Sequence, residues 1–481
     1  MQNLFLHLSF VSIMHYSPGT ILSSLSFDVT SIQDYYKNGG SPVELFNFIY
    51  DRIDEDNKTF SYVWIHLQSR EEVLESIKHL QGLNPYDLPL YGIPFSVKDN
   101  INVDGMPTKA ACSAYKFYPD ASANVVARLQ DAGAICIGKT NLDQFATGLN
   151  GTRSPYGPCI SPFNPQYISG GSSSGSAVSV ALQQVSFSIG TDTGGSGRIP
   201  ASLNNVVGLK PTVGSLSSSG LVPCCPSIDC PSVFALSTSD ASLVASVMFS
   251  NDSLDPSLRE DVSRTSFSPD AHSSIKKVFV PNDKLLNFFG NHKGENLYRN
   301  FLFDLNNSGY EIVAFDFEPF LEAGKLLFDG PFLADRYASI GLFLEENEND
   351  VLESTFSIVS QSKRWSAHDV FVALEKVKEL KSYARHILGS DGIFAFPTIA
   401  PLYTIAQLLD DPIALNTNIG YYSYFANILD FSALSVPLDF HENGMPFGIT
   451  LMGSAFADSA ISGFAQSSLF IRNFKLGLNR N

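Results

Sequence analysis

Between residues 88 and 217 apolar runs of strand length alternate with runs of helical spacing, and no other feature of the chain restricts its fold as tightly. In "GIPFSVKDNI" Ile93, Phe95 and Val97 alternate with Pro94, Ser96 and Lys98. In "SFSIG" Phe187 and Ile189 alternate with Ser186 and Ser188, as in a half-buried strand, and "AICIG" is a third strand-like run. "ANVVARLQDAG" and "SAVSVALQQV" between them are helix-competent. Strand and helix in turn predict an α/β fold. The pattern returns with "KKVFVP", "GENLYRNFLFDLNNSG" and "YEIVAFDF" as strand, helix and strand. A helical stretch follows from about 320 to 388, and "GIFAFPT" resumes the sheet. Residues 20 to 82 space their apolar positions three and four apart, as in "SPVELFNFIYDRI". The expectation is an N-terminal helical region, 1–85, packed on one large domain, 86–475, with a less regular, partly helical insertion around 250–390.

Composition bounds the functions open to such a chain. Apolar residues are 44% of the 481 and charged ones 16%, enough apolar surface for a large core. A net charge of −17 without any Lys/Arg cluster argues against a nucleic-acid partner, because neutralising phosphates needs such clusters. No apolar run reaches membrane-spanning length. The N-terminal "MQNLFLHLSFVSIM" lacks a basic start and a small-residue cleavage site, so a soluble cytoplasmic protein is expected. Cysteines stand at 112, 136, 159, 224, 225 and 230 with no C-x-x-C pair and no histidine close by, which reads as reduced core thiols and no metal.

The run Gly170 to Ser176, "GGSSSGS", has the composition of a linker. It abuts a small-residue helix and then a strand, which is the setting of a site. Two serines compete as nucleophile. Gly171 to Gly175 matches G-x-S-x-G and nominates Ser173, but that motif needs a preceding strand and a later histidine base. Pro165 interrupts "FNPQYIS", and histidines 272, 292, 368, 386 and 441 lie in polar or loop-like settings. The second candidate is Ser196 in "SIGTDTGGSGRIPA", where Gly190, Gly194, Gly195 and Gly197 let successive N–H groups form an anion nest. Lys98 ends a strand, a position where lysine is ordinarily solvated.

Taken in order, "GIPFSVKDNI", "GGSSSGSA", "GTDTGGSGR" and "GLKPT", with Ser172 and Ser196 separated by 24 residues, resemble the amidase signature family over about residues 88 to 455. The resemblance implies an α/β fold with a large twisted mixed β-sheet flanked by helices on both faces. It implies Ser196 as nucleophile, Ser172 as a bridging serine after a cis Gly171–Ser172 peptide, and Lys98 as base. It also implies an oxyanion hole from the N–H groups of Thr193, Gly194, Gly195 and Ser196. Chemistry adds a requirement: a lysine of ordinary pKa near ~10.4 serves as a base only where burial lowers that value.

Within the family, "FATGLNGTRSPYG", "VPCCPSIDCPSVFAL", "FDGPFLADRYA" and "LNTNIGYYSYFANILDFSALSVP" look most like the allophanate hydrolases, which act after urea carboxylation. This implies a small amide substrate bearing a carboxylate, with Arg336 as its planar clamp and Gly148 as a backbone contact. Phe328 stands where the family has a tyrosine eight residues before the arginine, so one substrate hydrogen bond is lost. The resemblance further implies a homodimer, a functional link to a urea carboxylase, and no cofactor, neither biotin nor ATP. The chain ends soon after "FGITLMGSAFADSA", so the C-terminal domain of allophanate hydrolases is expected to be absent, and the first product, N-carboxycarbamate, to decarboxylate spontaneously or on another protein. Two rivals stand beside this reading. The first is another amidase of the same family with a different amide substrate, including the aminoacyl-tRNA amidotransferase subunit, against which stand the acidic balance and "GSGR" in place of "GSIR". Against an inactive scaffold stands the intact set of Lys98, Ser172 and Ser196.

Overall fold

In a computed structural model that describes residues 22–253, 255–270, 274–469 and 476–478, the alternating pattern resolves into a single mixed sheet. The N-terminal stretch read for a leader, and His272, lie outside the described residues. The strands are β1 Trp64–Leu67, β2 Pro94–Lys98, β3 Ile135–Thr140, β4 Phe187–Asp192, β5 Val207–Lys210, β6 Cys230–Ala235, β7 Lys277–Pro281, β8 Glu311–Phe315, β9 Gly392–Pro397, β10 Phe431–Phe440 and β11 Pro446–Ser454. Their order is β1-β3-β2-β4-β6-β5-β10-β11-β9-β7-β8. Parallel pairs join β3, β2 and β4 at one end and β9, β7 and β8 at the other. Antiparallel pairs join the middle, where β10 and β11 form a hairpin whose turn needs Gly444 at φ +83°.

Two local expectations change. The N-terminal region is not wholly helical: after the helices Val29–Lys37 and Pro42–Asp56, Trp64–Leu67 pairs with β3 as the edge strand. Phe187 to Asp192, read as half-buried, is buried on both faces. The reason is polar pairing. Ser96 Oγ lies 2.7 Å from Ser188 Oγ and 3.0 Å from Ser179 Oγ, so two strand serines and one serine of the helix Ser174–Ala181 are paired where helix meets sheet. That helix is made of small residues because the sheet leaves no more room. A Cβ on Gly175 would come within 2.3 Å of the Val63 carbonyl oxygen.

Candidate active site

The parallel register of β2 and β4 sets Ser96 beside Ser188 and Val97 beside Ile189, and so carries Lys98 alongside Thr191 where both strands end. Lys98 is 0% exposed, and its Nζ lies 2.8 Å from Thr191 Oγ1 and 2.8 Å from Ser172 Oγ. Ser172 Oγ lies 2.8 Å from Ser196 Oγ. Three side chains from separate segments thus form an unbroken hydrogen-bonded line. Burial is the largest influence on Lys98 and lowers its pKa to about 8, against the pull of Asp143, Asp192 and Asp229 towards the charged form. The Gly171–Ser172 peptide is cis. Ser172 is held from behind, since its carbonyl accepts the Asp143 N–H at 3.0 Å. The Asp143 carboxylate accepts the N–H groups of Asn150, Gly151 and Arg153.

Ser173, the rival nucleophile, donates its hydroxyl to the Thr191 carbonyl at 3.2 Å and packs against Gly190. It is a structural serine, and the helix behind it follows a turn instead of a strand.

The loop bearing Ser196 is pinned by a charge pair that sequence reading missed. Arg198 and Asp192, both fully buried, make two 2.9 Å bonds, Nε to Oδ2 and Nη2 to Oδ1. Arg198 also donates to the Ser423 carbonyl, and Ser423 Oγ donates to the Gly194 carbonyl at 2.8 Å. Asp192 accepts the N–H groups of Gly195 at 3.0 Å and Gly197 at 2.9 Å. Of the four N–H groups expected to form the oxyanion hole, that of Gly195 donates to a carboxylate. The N–H groups of Thr193, Gly194 and Ser196 have no acceptor among the described residues. Gly195 has φ +137°, and a Cβ there would meet Ser423 Oγ at 2.5 Å. Thr193 is anchored through its hydroxyl to Asp229, whose carboxylate also takes the Cys224 and Cys225 N–H groups. Burial raises the Asp229 pKa to about 8.

A cavity of about 680 Å³ adjoins this loop, with Arg336 and Phe328 in its wall. Its aromatic wall touches the loop: a Cβ on Gly194 would meet Phe328 at 2.9 Å and Tyr424 at 3.2 Å. Arg336 is 1% exposed, its Nη1 lies 3.4 Å from Thr147 Oγ1, and its Nε has no partner among the described residues. The Phe328 ring lies 5.7 Å below the guanidinium, which keeps a cation–π contact although the hydroxyl is absent. Gly148 follows the cavity residue Thr147, and its α-carbon faces Asp143, whose Oδ2 would lie 2.6 Å from a Cβ. All six cysteines are buried and none is in a disulfide.

The family profile described as Amidase matches residues 44–461. This chain belongs to the amidase family. It is 39% identical over 442 residues to the urea amidolyase of Saccharomyces cerevisiae, a match covering 91% of this chain and 24% of that protein. The chain therefore spans about a quarter of the length of that relative. It is 30% identical over 479 residues to a glutamyl-tRNA(Gln) amidotransferase subunit of Exiguobacterium sibiricum, covering 92% and 96% of the two chains. The solved Kluyveromyces lactis allophanate hydrolase superposes with a TM-score of 0.85 at 37% identity, covering 94% of this chain and 74% of that one. The large mixed sheet flanked by helices is the amidase signature fold of these structures. No helix among the described residues is long and apolar enough to cross a membrane.

Proposed function

We propose that this amidase hydrolyses the terminal amide of allophanate to ammonia and N-carboxycarbamate, with Ser196 as nucleophile, Ser172 as proton relay and Lys98 as base. One observation carries the reading: the hydrogen-bonded line from Lys98 through Ser172 begins at a buried amine and ends at Ser196, on the loop whose Gly194 packs against the aromatic wall of a cavity that also holds a buried guanidinium. With Lys98 neutral, hydroxyl rotation lets Ser172 donate to its lone pair and Ser196 donate to Ser172. Ser196 Oγ attacks the amide carbon as its proton passes to Ser172 and the Ser172 proton to Lys98. The N–H groups of Thr193, Gly194 and Ser196 then receive the oxyanion, each worth about 3 to 4 kcal/mol in such sites. The lysine returns a proton to the leaving nitrogen, ammonia departs, and water cleaves the acyl-enzyme by the same relay.

The likeness to urea amidolyases and to an allophanate hydrolase supports the substrate, and Arg336 suits its carboxylate. Allophanate is N-carboxylated urea, and the likeness to urea amidolyases supports carboxylation of urea as the reaction that supplies it. Residues 86–475 would form the amidase unit, with 1–85 docked on it. Ammonia release from allophanate, biuret, malonamate and a simple aliphatic amide tests the reading. Allophanate should give the highest kcat/KM, and absence of turnover on allophanate would overturn it.

A further inference from the structure

Arg336 is one of two buried guanidiniums in the cavity wall. The other is Arg153, 4% exposed, which follows the turn at Gly151. Thr147 lies between them: Arg153 Nη1 donates to its carbonyl at 3.0 Å, and Arg336 Nη1 to its hydroxyl at 3.4 Å. The Nε atoms of both arginines are buried without a partner among the described residues. The fully buried ion pairs among those residues are Lys139–Asp99 and Arg198–Asp192, and neither includes Arg153 or Arg336. Arg153 Nη2 donates to the Pro412 carbonyl, a neutral acceptor. Asp143 favours the charged form of Arg153, and its carboxylate accepts three backbone N–H groups, that of Arg153 among them, with no bond from the guanidinium. A guanidinium keeps its charge when buried. Two such charges, neither hydrogen-bonded through its side chain to a carboxylate, share one cavity, whose wall also carries Lys325, Glu318 and Asp329.

We infer that Arg153 is a second specificity-determining residue, which with Arg336 makes the cavity a two-guanidinium site for small amides bearing a carboxylate and for their doubly charged hydrolysis product. The inference rests on the proposed function. There the allophanate anion and water give N-carboxycarbamate, a dianion, and ammonium. The ligand gains one negative charge in the reaction, and a second cation meets it.

Malonamate and malonamide test this, since they share a skeleton and differ by one carboxylate. Arg153→Gln should raise KM for malonamate and allophanate by about tenfold or more, the scale of one charge-assisted hydrogen bond. It should change kcat little and leave malonamide unaffected, and Arg153→Lys should recover part of the loss. Equal losses on the two amides, or a lysine variant no better than glutamine, would overturn the inference and leave Arg153 as a tie to Pro412. Should Arg153→Gln not fold, calorimetry on Ser196→Ala decides: malonate binding about tenfold tighter than malonamate supports two cationic contacts, and equal affinity rejects them. A wild-type protein that turns over neither allophanate nor malonamate would sink the proposed function, while the calorimetric comparison would still rule on the paired site.

Discussion

The loop that carries Ser196 and the wall that carries Arg336 are both buried and both built around an arginine, yet the two arginines are treated in opposite ways. Arg198 is matched by the Asp192 carboxylate through two bonds and by the Ser423 carbonyl. Asp192 in turn fixes two loop amides. Arg336 has long contacts to Thr147 and Cys225 and an Nε with no partner among the described residues. A buried charge with every partner in place sets geometry, and one with few partners leaves its capacity to a ligand. The Ser196 loop is therefore fixed by its own contacts, while the cavity wall keeps hydrogen-bonding capacity open.

The largest effect expected is at the nucleophile. Ser196→Ala should lower kcat by about 10⁶, as for other serine hydrolases whose nucleophile is removed, with an unchanged circular dichroism spectrum and melting point. Next come the two arginines, which separate the regions. Arg198→Met strands Asp192 in the interior and should cost about 3 to 5 kcal/mol in denaturant unfolding as well as the activity. A variant as stable as wild type would mean the loop is not held by that pair. Arg336→Gln should do the reverse: unfolding little changed, KM for allophanate raised by about a hundredfold, and a neutral amide hardly affected. Matching losses on charged and neutral amides would reduce Arg336 to a packing residue. The smallest change is Phe328→Tyr, which keeps the ring under Arg336 and restores a hydroxyl. KM should fall by about threefold, less than one neutral hydrogen bond is worth at its upper limit.

Much of this arrangement was legible in the chain. The strand and helix alternation located the sheet, and Lys98, Ser172 and Ser196 stood out because glycines and small residues crowd around them in ordered motifs. Trp64–Leu67 was hidden because four residues without turn signals carry no period. The burial of both faces of β4 was hidden because Ser188 looks solvent-facing until Ser96 and Ser179 are seen to pair with it. At the site, Thr191 became a partner of Lys98 only through the parallel register. The bond from the Gly195 N–H to Asp192 depended on the loop turning back over three residues. Arg198 reaches Ser423 across 225 residues of chain, a contact that no local pattern encodes. Arg153 sat in a quoted motif, but its neighbourhood with Arg336 is a product of the fold.

Labelling of Ser196 by a fluorophosphonate, followed as a rate between pH 6 and pH 10, probes the relay most directly because it reports the first bond-forming step alone. A charged lysine cannot accept a proton, and Lys98 is charged below its pKa of about 8. The rate should climb about tenfold per pH unit on the acid side, level off above pH 8, and lose that dependence in Lys98→Ala. A wild-type rate flat across this range, or a lysine-free variant with the same profile, would contradict a neutral buried amine acting through Ser172.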